Sequence, residues 1–331
     1  MADYYVTTTA GGSGVGTSGD PFTLAQATAQ AGTGNNFYVK AGTYGVEDPG
    51  SGAVMDLDVN GTQIAKNRWI GYTTTIADFA IGDTPPVIIN AGTSALARCV
   101  DTTTGPSNHI YFRGFQFTGA TTQAIGGGAP DNLYFEGCRF DNNGSTSGYA
   151  VDVDNVCVMV GCEIDNNSNG GVSLDNEGQF LFCKFHDNAG GAQITAAADL
   201  VVISSLFYAG RNSSQVACSN MKTFLNNIID GDNQAASVGV DLTSGSAAGT
   251  TLFNNIFFDL NIAIDESAGN TGFWCRGYNL FFSNNTDYSV NSLYSSDIAG
   301  ASDPFTASAT RDYSLKTASE GIDAGIDGSI I

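Results

Sequence analysis

Basic residues are scarce in this chain of 331 residues, which has 12 Lys and Arg against 33 Asp and Glu and a formal net charge of -21 at pH 7. A surface of this sign repels phosphate backbones and anionic lipids. We therefore expect no nucleic acid partner and no membrane partner. The acidity fits solubility in salty surroundings, and it opposes capture of an acidic polysaccharide unless a cation or a local basic cleft inverts the field.

Long apolar runs and a leader are also missing. No stretch approaches the roughly 20 consecutive apolar residues of a membrane span. The N-terminus, MADYYVTTTAGG, has no basic segment followed by an apolar one, as a secretory signal would. We expect either that the protein stays inside the cell or that a signal has been removed.

Paired cysteine motifs are absent as well. The seven cysteines are an odd number and show no CxxC spacing. This pattern predicts reduced thiols that serve as small buried apolar residues, as in a protein made in the cytoplasm. The cysteines are Cys99, Cys138, Cys157, Cys162, Cys183, Cys218 and Cys275.

What the chain does contain is glycine and a recurring short phrase. The 42 glycines, with only 7 prolines, indicate short strands and many tight turns. The phrase reads YFRGFQF at 111–117, YFEGCRF at 134–140, FLFCKF at 180–185 and FLNNII at 224–229. Units that recur every 20 to 30 residues or so predict a solenoid, because each unit buries its apolar face only by stacking on its neighbours.

Two columns of this repeat stay apolar and predict the core. The alternation around each phrase is typical of strands with one buried face, and no unit holds enough helical periodicity for two helices. The fold class is therefore all-β, a parallel coil of strands and turns. One column is Phe117, Phe140, Ile164, Phe185, Phe207, Ile229, Phe257 and Phe281. The other is Phe112, Phe135, Met159, Phe180, Val202, Phe224 and Leu252, and Arg276 breaks it.

Both ends of the chain strengthen this interpretation. The opening YYVTTTAGGSGVGTSGDPFTLAQATAQAGTGNNFYVKAGTY and the ending SDPFTASATRDYSLKTASEGIDAG flank the repeat. Together they resemble the right-handed parallel β-helix, or pectin lyase-like, superfamily, which includes pectate, chondroitin and alginate lyases and many phage tailspikes. The resemblance implies a single-domain right-handed parallel β-helix with a short N-terminal capping helix.

The chain divides into four predicted segments. Residues 1–45 form an N-terminal cap of strand, short helix and strand, in which Thr23 caps the helix and Gln26 reaches back to it. Residues 46–105 form irregular early coils, 106–285 regular rungs, and 286–331 a C-terminal coil and cap. We expect the helix to cover the open strand edges of the first coil.

Two ladders stand at the centre of successive repeats. Inward asparagines at a bend can bond the backbone and the stacked neighbour, which satisfies groups that are otherwise buried at a cost of about 1 to 3 kcal/mol. A column of thiols packs as apolar residues, and no histidine joins it to make a metal site. The predicted ladders are Cys138, Cys162 and Cys183, followed by Asn227, Asn255 and Asn279.

Polar turns follow the rungs and provide the candidate binding residues. Asp and Asn favour turns because they bond their own backbone, which is a structural role. The alternative is a line of oxygen ligands for a carbohydrate or for Ca²⁺, the one cofactor we consider. The candidates are Asp141, Asn142, Asp165, Asn166, Asp187 and Asn188.

No catalytic set is assigned. Lys184 and Arg211 lie about one rung apart, with Glu163 and Asp187 as nearby carboxylates, but these residues match no lyase segment that we recognise. His109 and His186, the only histidines, offer no Ser-His-Asp arrangement. A fold hosts many functions, so lyase activity does not follow from the resemblance alone.

Two functional hypotheses remain. The first is a bacteriophage virion protein, a head decoration, fibre or spike subunit assembled in the host cytoplasm, with other virion proteins as partners and a host-surface polysaccharide as a further partner. We expect it to be a homo-oligomer, specifically a trimer. The alternative is a secreted polysaccharide lyase or glycoside hydrolase of the same fold.

Overall fold

The computed structural model describes residues 2–9, 13–45, 52–57, 62, 64–92, 94–102, 109–126, 132–144, 148–210, 214–243, 249–266, 275–290, 293, 295–317 and 319. The chain is an all-β, right-handed parallel β-solenoid. It forms two compact units, Met1–Glu177 and Gly178–Ile331. Within the described ranges, no helix is long and apolar enough to cross a membrane.

The first unit is built from short strands and one short helix. The strands are β1 (Asp3–Val6), β2 (Asn36–Lys40), β3 (Gly42–Tyr44), β4 (Ala53–Asp56), β5 (Asn67–Tyr72), β6 (Val87–Asn90), β7 (Arg98–Asp101), β8 (His109–Arg113), β9 (Phe115–Thr118), β10 (Gln123–Gly126), β11 (Asn132–Glu136), β12 (Arg139–Asp141), β13 (Val151–Val153), β14 (Val156–Val160), β15 (Glu163–Asp165) and β16 (Val172–Leu174).

Every strand pair in this unit is parallel, as stacked coils require. One run is β1-β2-β5-β8-β11-β14, and a second is β4-β7-β10-β13 continuing to β16. A third run, β3-β6-β9-β12-β15, forms the other sheet. Strands that neighbour in space are therefore one coil apart in sequence.

The second unit is also built from short parallel strands. Its strands are β17 (Glu177–Leu181), β18 (Lys184–His186), β19 (Ile194–Ile203), β20 (Leu206–Tyr208), β21 (Ser214–Leu225), β22 (Ile228–Asp230), β23 (Val238–Leu242), β24 (Thr251–Phe253), β25 (Ile256–Phe258), β26 (Ile262–Glu266), β27 (Cys275–Gly277), β28 (Leu280–Phe282), β29 (Thr286–Tyr288), β30 (Ile298–Ala299), β31 (Phe305–Ala307) and β32 (Asp312–Leu315). A 3₁₀-helix, Ser308–Thr310, joins β31 to β32, which pair antiparallel.

The aromatic columns form the cores, as the repeat predicts. In the first unit Phe37 stacks on Trp69 with ring centroids 4.2 Å apart, and Phe117 stacks on Phe140 at 5.2 Å. All eight apolar residues of the predicted column around Phe140 are at most 2% exposed. The prediction that they point inward is confirmed.

Arg276, which breaks the second predicted column, is also buried in the second unit. Its Nη1 lies 3.5 Å from Oε1 of buried Glu266, and its guanidinium carbon lies 4.7 Å from the ring centroid of Tyr288. The column therefore continues with an ion pair and a cation–π contact in place of an apolar side chain.

The predicted helix is present as α1 (Leu24–Ala29). The Oγ1 of Thr23 accepts from the Gln26 amide at 3.3 Å, and Oε1 of Gln26 accepts from the Thr23 amide at 2.9 Å. Leu24 and Ala27 are buried. Whether this helix covers the end of the solenoid stays a prediction, as do the four segment boundaries.

A segment between β5 and β6 packs against the bend that follows β8 and β11. Gly114 and Gly137 both have positive φ, 70° and 56°. A Cβ at Gly114 would lie 3.0 Å from the ring of Phe79, and one at Gly137 would lie 2.7 Å from it. Glycine at this bend therefore makes room for the buried Phe79 ring.

Candidate functional site

Cations converge on the outer face of strands β5 and β8 in the first unit. They line a cleft of about 340 Å³, which we call the basic cleft. Three of the chain's 12 Lys and Arg residues lie in it, which concentrates positive charge in a chain of net charge -21. The lining residues are Lys66, Arg68, Ile70, Tyr111 and Arg113.

Strand alternation places these side chains on the outer face. In β5 the buried Trp69 separates Arg68 from Ile70, and in β8 the buried Phe112 separates Tyr111 from Arg113. The parallel register sets Arg68 beside Tyr111 and Ile70 beside Arg113. The buried aromatics thus fix which side chains face outward, and the coil spacing brings the two strands together.

Arg113 is held in place from two sides. Its Nη2 donates to the carbonyl oxygen of Phe79 at 3.1 Å, and its Nε lies 3.4 Å from Oε1 of Glu136 on β11. The anchored Phe79 segment therefore orients the guanidinium, and the partly exposed ion pair adds to that orientation.

Tyr111 shares the carboxylate of Glu136 with Arg113. Its hydroxyl donates to Oε2 of Glu136. Burial raises the pKa of Tyr111, and the hydrogen bond to Glu136 raises it further. The phenol therefore keeps its proton at neutral pH and can act as a donor.

The pKa of Lys66 shifts in the opposite direction, below its usual value. Its Nζ lies 3.3 Å from the ring centroid of Tyr134 on β11. Burial lowers the pKa of Lys66, and the positive charge of Arg68 lowers it further. This amine therefore loses its proton more readily than an ordinary lysine, which a proton-abstracting group requires.

Comparison with known proteins agrees with the fold. The family model described as "Right handed beta helix region" matches residues 123–287. No curated protein matches the sequence.

Solved structures similar to this β-helix include lyases and a phage protein. Pectate lyase Pel9A is 17% identical with a TM-score of 0.63, and the match covers 100% of this chain and 93% of that one. A mannuronic acid specific polysaccharide family 6 lyase from human gut microbiota is 12% identical with a TM-score of 0.44, covering 89% of this chain and 77% of that one. The Dettilon tailspike protein is 12% identical with a TM-score of 0.42, covering 82% and 57%. At these identities the similarity shows the fold alone.

The predicted turn residues of the first unit lie at strand ends of the β-helix. Asp141 and Asp165 are neighbours in the register of β12 and β15, and both are buried. Asp141 accepts from Nε2 of Gln116 at 2.8 Å, and Asp165 accepts two hydrogen bonds from Arg139 at 2.8 Å each. Burial raises the pKa of Asp141, while the Gln116 donor lowers it in part.

The two asparagines that follow them are exposed and adopt positive φ, 56° at Asn142 and 54° at Asn166. Each donates to the preceding aspartate, at 2.6 Å and 2.7 Å. These contacts are the local turn bonds expected of the structural role. A carbohydrate or Ca²⁺ site at these turns stays a prediction.

The buried polar ladders make the contacts that an inward bend requires. In the second unit the amide N of Asn227 donates to Oδ1 of Asn255, and that of Asn255 donates to Oδ1 of Asn279, at 2.9 and 3.1 Å. In the first unit Asn143 and Asn167 make a similar pair at 3.0 Å, which the repeat alignment did not single out. The signal was available as the second asparagine of DNNG and DNNS.

The predicted thiol ladder is buried. Cys138 and Cys162 in the first unit and Cys183 in the second are each at most 2% exposed, and each is a thiol outside any disulfide. Cys275 is exposed. The Sγ of Cys138 lies 3.6 Å from the carbonyl oxygen of Phe112, within reach of a weak hydrogen bond.

The second unit holds the remaining candidates. Asp187 accepts from Nη1 and Nη2 of Arg311 at 2.9 and 3.3 Å. Burial raises the pKa of Asp187, but the bonds from Arg311 and His186 outweigh it and hold the pKa below its usual value. Asn188 is buried and donates to Gln193. Lys184 lies on β18 with its Nζ 5.5 Å from the Tyr208 ring centroid, and Arg211 lies outside the described residues.

A buried carboxyl in this unit predicts a pH dependence. Asp230 accepts from the Tyr313 hydroxyl at 2.8 Å, and burial raises the pKa of Asp230 to about 6 from 3.8. The pKa of Asp230 is higher in the folded protein than in the unfolded chain. The stability that Asp230 contributes is therefore complete below about pH 4 and is lost as pH rises through about 6. Asp230→Asn should therefore gain stability relative to the native protein between pH 4 and pH 7, by at most about 3 kcal/mol.

Urea unfolding across this pH range measures the difference. Tyr313→Phe removes a donor that lowers the pKa, so it should extend the loss of stability to higher pH. A difference between Asp230→Asn and the native protein that stays constant from pH 4 to pH 7 would contradict the raised pKa.

Proposed function

We propose that this β-helix binds an acidic polysaccharide in the basic cleft. The observation that carries the proposal is the convergence of Lys66, Arg68 and Arg113 on one outer face of a strongly acidic chain. Guanidinium groups bind carboxylates with paired, charge-assisted hydrogen bonds. The half-buried Tyr111 adds an aromatic surface of the kind found in ligand sites, and its hydroxyl oxygen can accept from a sugar hydroxyl while it donates to Glu136.

The proposal includes a place for the protein in a phage particle. We infer a structural protein of a phage particle, a head decoration, fibre or spike subunit that contacts other virion proteins and holds a host-surface polysaccharide. Buried cysteines that form no disulfide in the described residues support assembly in the reducing host cytoplasm. A trimer would bury flat solenoid sides around a threefold axis and present three basic clefts.

Binding measurements test the cleft. We expect pectate or alginate oligosaccharides to bind and carboxyl-reduced versions of the same oligosaccharides to bind far more weakly. Arg68→Gln should weaken binding about tenfold, because one exposed charged hydrogen bond contributes at the lower end of about 1.5 to 3 kcal/mol. Arg68 is exposed, so this change should leave the fold intact.

The matched control is Lys222→Gln, which removes one partly exposed cation of the second unit that lies 3.4 Å from Asp199. This variant should bind as the native protein does. Equal affinity for the acidic and the reduced oligosaccharides, or equal effects of the two substitutions, would contradict the proposal.

A second candidate, a polysaccharide lyase, is favoured by the position of Lys66 in the basic cleft with Arg68 and Tyr111, where burial also lowers the pKa of Lys66. In that reaction the Lys66 amine would take the C5 proton of a uronate, and the electron pair would form the C4–C5 double bond. The C4–O bond would then break, and Tyr111 would give its proton to the leaving oxygen. Arg68 and Arg113 would neutralise the carboxylate.

The mixtures of protein and oligosaccharide from the binding measurements also distinguish a glycan-binding protein from a lyase. A lyase produces unsaturated chain ends that absorb in the ultraviolet, and Lys66→Gln would abolish their formation while binding persists. Binding by the native protein with constant absorbance supports a glycan-binding protein and excludes elimination of the oligosaccharides tested.

A further inference from the structure

A second cleft lies on the outer face of the same sheet, nearer the start of the chain. Its volume is about 390 Å³. We call it the tyrosine cleft. Among its lining residues are Tyr5 of β1, Lys40 of β2 and Tyr72 of β5, together with Thr74, Thr75 and Ile76.

The register of the strands brings the tyrosines and the lysine together. Lys40 and Tyr72 are direct neighbours in the pairing of β2 with β5. Tyr5 is the direct neighbour of Tyr38, with ring centroids 5.6 Å apart. Tyr5 and Tyr72 both line the cleft, and burial raises the pKa of Tyr72, with a further contribution from Tyr5.

Hydrogen bonds to Asp78 stabilise one wall of the cleft. Asp78 accepts from the backbone amides of Thr73, Thr74 and Thr75 at 2.9, 2.6 and 3.0 Å. The Thr73 hydroxyl and these amides hold the pKa of Asp78 below its usual value. This network orders the chain just before Ile76, which is 41% exposed at the rim.

These side chains suit a sugar better than a free anion. Two tyrosines and an exposed isoleucine offer apolar surface, while Lys40, the phenols and the threonine hydroxyls offer hydrogen-bonding groups. Sites for small ligands combine such apolar and aromatic walls with a few polar groups. Because Asp78 lies close by, the tyrosine cleft carries less net positive charge than the basic cleft.

The two clefts are aligned along one strand. Arg68, Ile70 and Tyr72 are alternate residues of β5, so their side chains leave the same face of the sheet. Tyr72 is four residues after Arg68 on the strand, a distance of about 13 Å. One polysaccharide molecule lying along β5 therefore reaches both clefts.

We propose that the tyrosine cleft is a second subsite, which binds further sugars of the polysaccharide held in the basic cleft. This inference rests on the proposed function and adds a length requirement to it. The occupant is an acidic oligosaccharide long enough to run along β5 from Arg68 to Tyr72.

Affinities for oligogalacturonates from the dimer to the hexamer test this inference. The native protein should bind the hexamer at least tenfold more tightly than the dimer. Tyr72→Ala should remove most of that gain and leave the affinity for the dimer unchanged. Ile76→Asp, at an exposed position that should not disturb folding, should do the same by placing a charge at the rim.

Ile81→Asp is the matched control, because Ile81 is 47% exposed in the same segment and lines neither cleft. It should keep the gain with length. If Tyr72→Ala and Ile76→Asp keep that gain, or if they weaken dimer and hexamer equally, the second subsite is wrong while the proposed function stands. If the native protein binds neither the galacturonate oligomers nor alginate oligomers of the same lengths, the proposed function itself fails.

Discussion

Replacing Phe185 with alanine should lower the free energy of unfolding by about 3 to 5 kcal/mol. Phe185 is fully buried in the second unit. Its ring stacks on Phe207 with centroids 4.9 Å apart and meets the edge of Phe180 at 5.6 Å. Alanine would remove this apolar surface and leave a cavity that rigid neighbouring coils cannot close. Urea unfolding followed by circular dichroism measures the change.

Phe182→Ala is the control, since it is the same substitution three residues earlier. Phe182 is 65% exposed and has a positive φ of 56°. Its loss should therefore change stability by less than about 1 kcal/mol. Similar effects of the two substitutions would contradict the inward column.

Asn255→Ala should be almost as costly, at about 3 kcal/mol or more. Oδ1 of Asn255 accepts from the amide N and from Nδ2 of Asn227 at 2.9 and 3.1 Å. Its Nδ2 donates to the carbonyl oxygen of Phe224 and to Oδ1 of Asn279 at 2.9 and 3.0 Å. Alanine would leave several buried groups unsatisfied, each at a cost of about 1 to 3 kcal/mol.

Asn285→Ala provides the comparison, because this exposed side chain makes its hydrogen bond to Asn261 at the surface. We expect it to cost less than about 1 kcal/mol. Thermal unfolding of both variants measures their loss of stability relative to the native protein. A loss below about 1 kcal/mol for Asn255→Ala would mean that water or a neighbour replaces the ladder contacts.

The repeat made the interior predictable. A residue such as Phe140 or Phe185 recurs at the same place in unit after unit, and only a buried column explains such constancy in a solenoid. The alternation of apolar and polar residues also identifies which side chains of β5 and β8 face outward. These features are local, so the sequence contains them.

The basic cleft was harder to predict because it depends on which coils become neighbours. Arg68 comes from a part of the chain that shows no clear repeat, and its register with Tyr111 depends on the lengths of the intervening loops. Loop length is not encoded in strand periodicity. The sequence alone places only cations such as Lys184 and Arg211, about one rung apart in the clear repeats, and these match no catalytic set.

The burial of the aspartates in the polar turns could not be predicted from the sequence. Asp141 and Asp165 follow apolar residues and precede asparagines, which is typical of exposed turns. In the structure each aspartate is the last residue of its strand and is buried, with Gln116 or Arg139 as its partner. Those partners belong to neighbouring positions of the sheet, which sequence spacing alone does not reveal.

A crystal structure of the protein with a bound oligogalacturonate would test the central claim most directly. The account predicts density along the outer face of β5, with a sugar carboxylate within hydrogen-bonding distance of Arg68 or Arg113. Density at the turns of Asp141 and Asp165, or on the second unit with the basic cleft empty, would contradict it.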